Sequence, residues 1–194
     1  MRIIAGKCRG RTFQAPEGLR TRPTLDRVKE SFFGSIQFEI AGATVLDLFS
    51  GSGNIALEAA SRGAKRCVCS DINPECTALI KKNAAALGLT DVLRVITADF
   101  KAVLSLLHEE GFCADIVYLD APYASGLSQE AAAMIFETAL LSPGGRLFVE
   151  HSGDVQCPAH PLYSEYRTKK YGKCFITELR WSESDENRNL SRQL

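Results

Sequence analysis

The sequence predicts an α/β protein built on a mostly parallel, doubly wound sheet, and three observations predict it. From residue 43 onward, short β-prone runs alternate with helical patterns, which is typical of parallel strands with helices on both faces. Glycines and prolines mark the boundaries between these runs. The chain of 194 residues is 45% hydrophobic, which is sufficient for one full core.

The elements follow one another in a regular order. Residues 2–5 and 11–14 predict a small basic hairpin, and Leu25, Val28, Phe32 and Ile36 recur at helical spacing. Strands are then expected at 44–49, 65–71, 92–99, 114–120 and 145–150, with helices at 54–61, 74–87, 100–110 and 129–140. The segment "EYRTKKYGKCFITELRW" predicts a closing antiparallel hairpin. The expected organisation is an extension over 1–24, a core domain over 25–181 and a polar, disordered tail over 182–194.

Positive charge is concentrated at the N-terminus. Residues 1–30 contain eight basic and three acidic residues, so they carry +5 and the remainder carries −5 in a chain that is neutral overall. This asymmetry predicts an arm that faces a polyanion. A solvated basic face without a partner explains the same pattern equally well.

The cysteines and histidines do not indicate a metal centre. The seven cysteines are scattered without a C-x-x-C pair, and Cys67 and Cys69 alternate in a predicted strand, as small buried side chains do. His108, His151 and His160 match no metal-ligand spacing and are expected on the surface or in loops. Free thiols, with no signal peptide or membrane-spanning apolar run, predict a reducing, cytosolic compartment and no membrane contact.

A glycine-rich loop follows the first core strand. "LDLFSGSGNIALEAA" places Gly51, Gly53 and Ala56 at the spacing of a dinucleotide fingerprint. Asp47 opposes that interpretation, because a carboxylate beside the helix N-terminus repels a pyrophosphate. The sulfonium and ammonium groups of S-adenosylmethionine are attracted to it instead. The loop therefore favours S-adenosylmethionine over a dinucleotide.

Carboxylates also end the next three core strands, at Asp71, Asp99 and Asp120. We expect Asp71 to accept hydrogen bonds from ribose hydroxyls and Asp99 to accept one from the adenine amino group. Helix capping explains each carboxylate alone equally well. The series favours a ligand, because open α/β sheets bind ligands at the carboxyl ends of their strands.

The stretch "VYLDAPY" predicts the reactive loop. We expect Asp120 and a backbone carbonyl of the loop to accept hydrogen bonds from an exocyclic amine and to draw its lone pair toward a methyl donor. We expect Tyr123 to stack on an unpaired or flipped base. The sulfonium is already a good methyl donor, so alignment is the main task of the protein and no metal or covalent nucleophile is needed.

Two sets of motifs resemble known families. "DLFSGSG" with "DAPY" resembles the class I S-adenosylmethionine-dependent methyltransferases that act on amino groups. "MRIIAGKCRGR" followed by "RPTLDRVKESFF" resembles the RsmD family of 16S ribosomal RNA guanine-N2 methyltransferases, over residues 1–181. The resemblance implies a Rossmann-like, seven-stranded methyltransferase core with an N-terminal hairpin that grips RNA. It also implies that Arg22, Pro23 and Thr24 lie near the cofactor. Ala121 departs from the two prolines usual in the family's catalytic loop.

Motifs and resemblance together give a complete set of candidate residues. The predicted catalytic residues are Asp120, Pro122 and Tyr123. The predicted cofactor-binding residues are Asp47, Phe49, Gly51, Gly53, Asp71, Ile72, Asp99, Phe100 and Thr24. The predicted substrate-binding residues are Arg9, Arg11 and Arg22. The expected partner is ribosomal RNA or an assembling small ribosomal subunit, and nothing in the sequence demands more than a monomer.

Three alternatives remain open at this point. A DNA adenine or cytosine amino-methyltransferase uses a similar loop, although little sequence is left here for a target-recognition region. A protein glutamine methyltransferase uses a related loop but predicts no basic arm. A non-catalytic RNA-binding assembly factor retains the fold but does not need an intact catalytic loop.

Overall fold

The computed structural model describes residues 1–15, 23–122, 125–153 and 159–182, with the side chains of 23–27 outside that description. The chain divides into two compact units, Met1–Val103 and Leu104–Leu194. The described residues form five helices and a seven-stranded sheet in the order β3-β2-β1-β4-β5-β7-β6. The predicted fold class is therefore confirmed.

The observed elements agree closely with the predicted ones. The helices are α1 (Pro23–Ser35), α2 (Asn54–Ser61), α3 (Pro74–Leu87), α4 (Phe100–Glu109) and α5 (Leu127–Glu137). The strands are β1 (Thr44–Asp47), β2 (Arg66–Asp71), β3 (Leu93–Thr97), β4 (Ala114–Leu119), β5 (Leu141–Ser152), β6 (Tyr163–Tyr171) and β7 (Cys174–Trp181). The largest shift is in β5, which begins at Leu141, four residues before its predicted start at 145. The helix α5 begins two residues early, after a left-handed Gly126, and ends before Ala139, whose φ is +52°.

In the first unit, β1 pairs with β2 and β2 with β3, all in parallel. The strands are short and apolar because helices cover them, and every residue of β1 is buried. Cys67 and Cys69 are fully buried in β2. This confirms the interpretation of these cysteines as small core side chains. Burial also raises the pKa of the Cys67 thiol to about 12, so this thiol stays protonated.

Residues 1–15, here called the N-terminal arm, fold back on themselves. Arg2 and Thr12 form an antiparallel bridge, and the Ile3 amide donates to the Arg11 carbonyl at 2.9 Å. The arm lies against the C-terminal end of α2, where the Lys7 amide donates to the Ser61 carbonyl at 2.8 Å. The predicted hairpin is thus present as a short antiparallel pairing, and a backbone hydrogen bond from Lys7 joins it to α2.

Gly6 permits this close approach. It has a φ of +83°, and a Cβ placed there lies 1.9 Å from the Ser61 carbonyl oxygen. Gly10 has nearly the same φ, +81°, but a Cβ placed on it meets nothing within 4 Å. The arm therefore requires glycine at position 6 for space as well as for backbone conformation.

The second unit combines parallel and antiparallel pairing. β4 pairs with β5 in parallel, whereas β7 lies between β5 and β6 and is antiparallel to both. The prediction for His151 is wrong, because this residue is buried in β5 and its Nε2 lies 2.8 Å from Thr177 Oγ1. The sequence around His151 does not indicate its partner Thr177, because a single polar residue in an apolar run does not show which distant residue it will contact.

Several predicted features fall outside the described residues. They are Tyr123, Arg22 and all of the predicted tail except Ser182. The Pro23–Ser35 helix includes Thr24, but the side chain of this threonine is likewise outside the description. No helix in the described part of the chain is long and apolar enough to cross a membrane.

The two glycines of the arm provide a matched test of this packing. We expect Gly10→Ala to cost about 1 kcal/mol, which is the penalty for a left-handed alanine. Gly6→Ala adds a backbone clash to that penalty, so its free energy of unfolding should fall well below that of Gly10→Ala. Urea denaturation of both variants measures the difference, and equal losses would contradict the close approach.

Candidate functional site

The glycine loop joins β1 to α2 in the first unit. Gly51 and Gly53 have φ values of +50° and +75°. A Cβ on Gly53 lies 2.9 Å from Ile80, so this glycine is needed for packing against α3. Among the described residues, a Cβ on Gly51 meets nothing within 4 Å, so this glycine is needed for its backbone conformation and not for packing.

Two serines fix the exit of β1 against β2. The Ser50 amide donates to the Ser70 carbonyl at 2.8 Å, and Ser50 Oγ accepts from the Ser70 amide at 3.1 Å. Ser70 Oγ donates to the Leu48 carbonyl at 2.7 Å. All three residues are buried, so the loop that follows starts from a rigid base.

Asp47 ends β1 and is almost completely buried. Its Oδ2 accepts from the Ala56 amide at 3.2 Å, in the first turn of α2. Desolvation raises the pKa of this carboxyl to about 7, against the lowering effect of hydrogen bonds from Ala56 and Ser50. The charge on Asp71 raises it further. A buried carboxylate with this pKa is stabilised in its charged form by a neighbouring cation.

Asp71 ends β2 and organises the loop. Its Oδ2 accepts from the Gly51 amide and its Oδ1 from the Asn73 amide, both at 2.8 Å. Each oxygen retains a lone pair, since a carboxylate accepts about four hydrogen bonds. The next residue, Ile72, is a large apolar side chain that is 70% exposed. The pair presents a carboxylate beside an uncovered apolar surface, as a ribose and an adenine ring require.

Asp99 and Phe100 follow β3, and Phe100 packs against Phe49 from the loop after β1. Asp99 Oδ1 accepts from the Lys101 amide at 2.9 Å, so this aspartate caps α4. The rings of Phe49 and Phe100 pack with centroids 5.6 Å apart. The structure thus gives Asp99 the capping role that the sequence left open. It also places two predicted cofactor-binding rings in contact.

The predicted reactive loop begins in the second unit, directly after β4. Leu119 is buried and Asp120 is exposed, so the chain reaches the surface at the carboxylate. The Ala121 amide donates to Ser128 Oγ at 3.3 Å, a hydrogen bond that a proline in this position cannot form. Ala121 lacks the rigid ring of a proline, but its amide forms a hydrogen bond that connects the loop to α5.

The carbonyl of Pro122 is already occupied. It accepts from the Ser125 amide at 2.9 Å and from Ser125 Oγ at 2.6 Å. Both lone pairs of that oxygen are used within the loop, which leaves the Pro122 carbonyl without capacity for a further hydrogen bond.

A buried polar cluster supports the start of this loop. The Tyr118 hydroxyl donates to Glu150 Oε2, and Cys174 Sγ donates to Glu150 Oε1 at 3.1 Å. Burial, followed by the charges on Glu150 and Asp120, raises the pKa of Tyr118 well above its ordinary value. Tyr118 therefore remains a neutral hydrogen-bond donor that fixes β4 just before Asp120.

The predicted substrate arginines differ from each other. Arg9 is exposed on the N-terminal arm. Arg11 donates from both terminal nitrogens to the carbonyls of Ala86 and Leu87, at the C-terminal end of α3. This end is about 21 Å, the length of a 14-residue helix, from the end beside Asp71. Arg11 therefore lies at the end of α3 that is away from Asp71.

Glu58 has a structural role that the sequence analysis missed. Its carboxylate accepts from the amides of Ile4 and Ala5 at 2.9 Å each, and from Arg62 Nε at 2.8 Å. Lys29 Nζ lies 3.2 Å away, and both side chains are buried. A single acid in the apolar helix sequence "NIALEAAS" was the available signal.

The described residues include no group of three or more histidines, cysteines, aspartates or glutamates placed to hold a metal ion. The polar groups at the strand ends are acceptors instead. They suit a ligand that carries positive charge and hydroxyl groups.

The strand order, the glycine loop and the carboxylates that follow β1, β2 and β3 define a class I S-adenosylmethionine-dependent methyltransferase, the class to which the structural neighbours belong. The family model described as "Conserved hypothetical protein 95" matches residues 1–180. The chain belongs to this family, which is the RsmD family of ribosomal RNA methyltransferases.

Individual relatives agree with this assignment. The chain is 36% identical to the putative rRNA methyltransferase YlbH of Bacillus subtilis over 160 residues, which is 81% of this chain and 86% of that protein. It is 32% identical over 174 residues to the ribosomal RNA small subunit methyltransferase D of Escherichia coli, covering 89% and 86%. The solved putative methyltransferase yhhF from Escherichia coli superposes with a TM-score of 0.80 at 30% identity, covering 95% and 99%.

The raised pKa of Asp47 predicts a pH-dependent effect on stability. Folding raises this pKa from 3.8 to about 7, so stability is lost as pH rises through that interval. Asp47→Asn removes the free-energy cost of burying an ionised carboxylate. The melting temperature of the ligand-free variant should exceed that of the wild type by a margin that grows between pH 4 and pH 7 and then levels off.

The exposed Asp91 in the turn before β3 provides the control, since Asp91→Asn removes the same charge without burial. A margin for Asp47→Asn that does not change with pH would show that the carboxyl is not protonated in the folded state.

Proposed function

We propose that this protein transfers a methyl group from S-adenosylmethionine to the N2 amine of a guanine in small-subunit ribosomal RNA. The observation that carries the proposal is the series of carboxylates after β1, β2 and β3 around a glycine loop, in a chain of the RsmD family. Asp120, Pro122 and Tyr123 are the proposed catalytic residues.

The cofactor residues fit S-adenosylmethionine by charge and by space. Asp47 supplies a buried negative charge for a cationic ligand, and Gly51 leaves open space beside the backbone. Asp71 accepts hydrogen bonds from ribose hydroxyls, while Ile72, Phe49 and Phe100 supply apolar surface for adenine. Gly53 shapes the turn, and Asp99 and Thr24 complete the proposed set. The cofactor supplies an electrophilic methyl group on sulfur.

The proposed chemistry at Asp120 addresses the low reactivity of an aromatic amine. The amine lone pair is delocalised into the guanine ring, so it is a poor nucleophile. Hydrogen bonds from the amine protons to Asp120 and to a carbonyl of Asp120 or Ala121 align the lone pair with the methyl group. Tyr123 stacks on the base. The occupied Pro122 carbonyl supports this choice of acceptors.

The proposed substrate follows from the relatives and from the basic arm. The Escherichia coli relative is named a ribosomal RNA small subunit methyltransferase, and the Bacillus subtilis relative a putative rRNA methyltransferase. Arg9, Arg11 and Arg22 are the proposed phosphate-binding residues. Arg11 combines this role with capping of α3, so Arg9 is the better probe of RNA contact. We propose a monomer that acts on ribosomal RNA or on an assembling subunit.

Methyl transfer from labelled S-adenosylmethionine tests the function directly. The substrates are under-methylated ribosomal RNA, small subunits assembled from it, and duplex DNA, each followed by nucleoside analysis. We expect N2-methylguanosine in ribosomal RNA or in subunits. Label confined to DNA, or no label despite cofactor binding, would overturn the proposal.

Two aspartate variants separate chemistry from cofactor binding. Asp120→Ala should lower kcat by roughly 10²–10³-fold, because the positioned acceptor is lost, with cofactor affinity largely unchanged. Asp71→Ala should weaken cofactor affinity first, since it both frees the Gly51 amide and removes the proposed ribose acceptor. Calorimetry and steady-state kinetics on both variants check the assignment. A loss of cofactor affinity in Asp120→Ala would place that residue in the cofactor pocket instead.

A further inference from the structure

The hairpin formed by β6 and β7 carries a second concentration of positive charge. Residues 163–181 contain five basic and two acidic residues, in a chain that is neutral overall. β6 is the last strand in the sheet order. Six of its nine residues are exposed. This surface lies in the second unit and is separate in sequence from the N-terminal arm.

One carboxylate on this hairpin holds three arginines. Glu178 is buried in β7 and binds Arg146 through two hydrogen bonds of 2.9 Å. Arg167 Nε lies 2.9 Å from the same carboxylate, and the nearest nitrogen of Arg180 lies 2.7 Å from it. Burial raises the pKa of Glu178, but the hydrogen bonds from Arg146 and Arg180 outweigh it and leave the pKa below its usual range. Positive charge is therefore in excess here at every working pH.

Two of these arginines reach the surface in fixed positions. The side chains of Arg167 and Arg180 are 37% and 39% exposed, whereas Arg146 is almost covered. Because Glu178 holds the guanidinium groups, little rotamer entropy is lost when they bind a ligand. Lys169, Lys170 and Lys173 extend the charge along the edge strand and its turn. Lys169 and Lys170 project to opposite faces of β6, and Lys170 Nζ lies 5.3 Å from the centroid of the Phe175 ring.

An irregularity in β6 places an aromatic ring among these charges. The pairing register with β7 shifts between Glu165 and Arg167, which leaves Tyr166 as the extra residue. Such bulges redirect a side chain. The Arg180 guanidinium lies 3.7 Å from the centroid of the Tyr166 ring, and Tyr166 is 56% exposed. The result is an ordered aromatic–arginine stack at the surface.

Protection of the edge strand explains only part of this pattern. Lysines and a bulge on an edge strand discourage pairing with other chains. An exposed tyrosine does not serve that purpose, and neither does an arginine that a buried carboxylate holds over its ring. Proteins bind unpaired nucleotides through aromatic rings and arginines that stack on the bases, and through spaced basic residues that contact the phosphates.

We propose that the surface formed by Tyr166, Arg167, Arg180, Lys169, Lys170 and Lys173, here called the β6–β7 surface, binds an unpaired stretch of the RNA substrate. A base stacks on Tyr166, and the cations contact flanking phosphates. The proposal rests on the proposed function for the identity of the RNA. It adds a second contact region, which lets a small enzyme hold a large RNA at more than one place.

The tyrosine is tested by a pair of substitutions. Tyr166→Ala should weaken binding of in vitro transcribed small-subunit ribosomal RNA roughly tenfold, and Tyr166→Phe should retain most of the affinity because stacking is kept. Phe38, which is 91% exposed in the first unit, provides the control, and Phe38→Ala should leave RNA affinity unchanged. Melting temperature and cofactor affinity are measured for each variant.

The lysines are tested by salt dependence. The triple substitution Lys169→Ser, Lys170→Ser and Lys173→Ser should reduce the slope of log affinity against log salt by about 2 for single-stranded RNA. Substitution of the exposed Lys65 and Lys82 by serine is the control and should change the slope less. In turnover assays the hairpin variants should raise the KM for RNA and leave kcat nearly unchanged.

The outcomes separate this inference from the proposed function. If the wild type methylates ribosomal RNA and all hairpin variants keep its RNA affinity and salt slope, the β6–β7 surface is only edge protection. If the wild type methylates no RNA, the proposed function fails, and direct binding of the RNA to wild type and variants still decides the surface. Equal losses in the alanine and phenylalanine variants would exclude stacking. Ultraviolet crosslinking of wild-type protein to RNA, mapped to residue 166, decides the case if a variant unfolds.

Discussion

A single buried carboxylate, Glu58, determines how the first unit is assembled. It receives two backbone amides of the N-terminal arm, the ammonium of Lys29 from α1 and the guanidinium of Arg62. Removal of one member of such a buried ion pair costs about 3–5 kcal/mol, because the other charge is left uncompensated. The arm and α1 thus depend on the same side chain of α2.

The same cluster reaches the start of the glycine-loop helix. Lys29 Nζ also donates to the Arg2 carbonyl and to Asn54 Oδ1, each at 2.8 Å. Asn54 is the first residue of α2, so the arm, α1 and the glycine loop share one polar network. The arm is therefore a structural part of the first unit as well as a carrier of charge. Asn83 of α3 also attaches the arm to this unit, since its side chain accepts from the Gln14 amide and donates to the Gln14 carbonyl.

The sequence predicts what depends on local pattern. Asp71 and Asp99 were located at strand ends because apolar runs and glycine or proline breaks repeat along the chain. The contacts of Glu58 with Ile4, of His151 with Thr177 and of Arg11 with Leu87 could not be predicted, because these partners lie 26 to 76 residues away and only the fold brings them together. Ala121 shows the same limit, since its tie to Ser128 depends on the position at which α5 begins. Local periodicity specifies elements and their ends, whereas buried polar partners depend on packing between elements.

The environment of Asp47 also affects how cofactor binding is measured. A carboxyl with a pKa of about 7 is partly protonated at neutral pH in the ligand-free protein. In the cofactor site proposed above, a sulfonium or ammonium beside Asp47 favours the ionised form, so we expect association to expel a fraction of a proton into solution. The heat of binding then includes the ionisation enthalpy of the buffer, and titrations in phosphate and in Tris give different apparent enthalpies for the same event. Under the proposed assignment of Asp47, cofactor recognition is therefore a proton-exchange equilibrium.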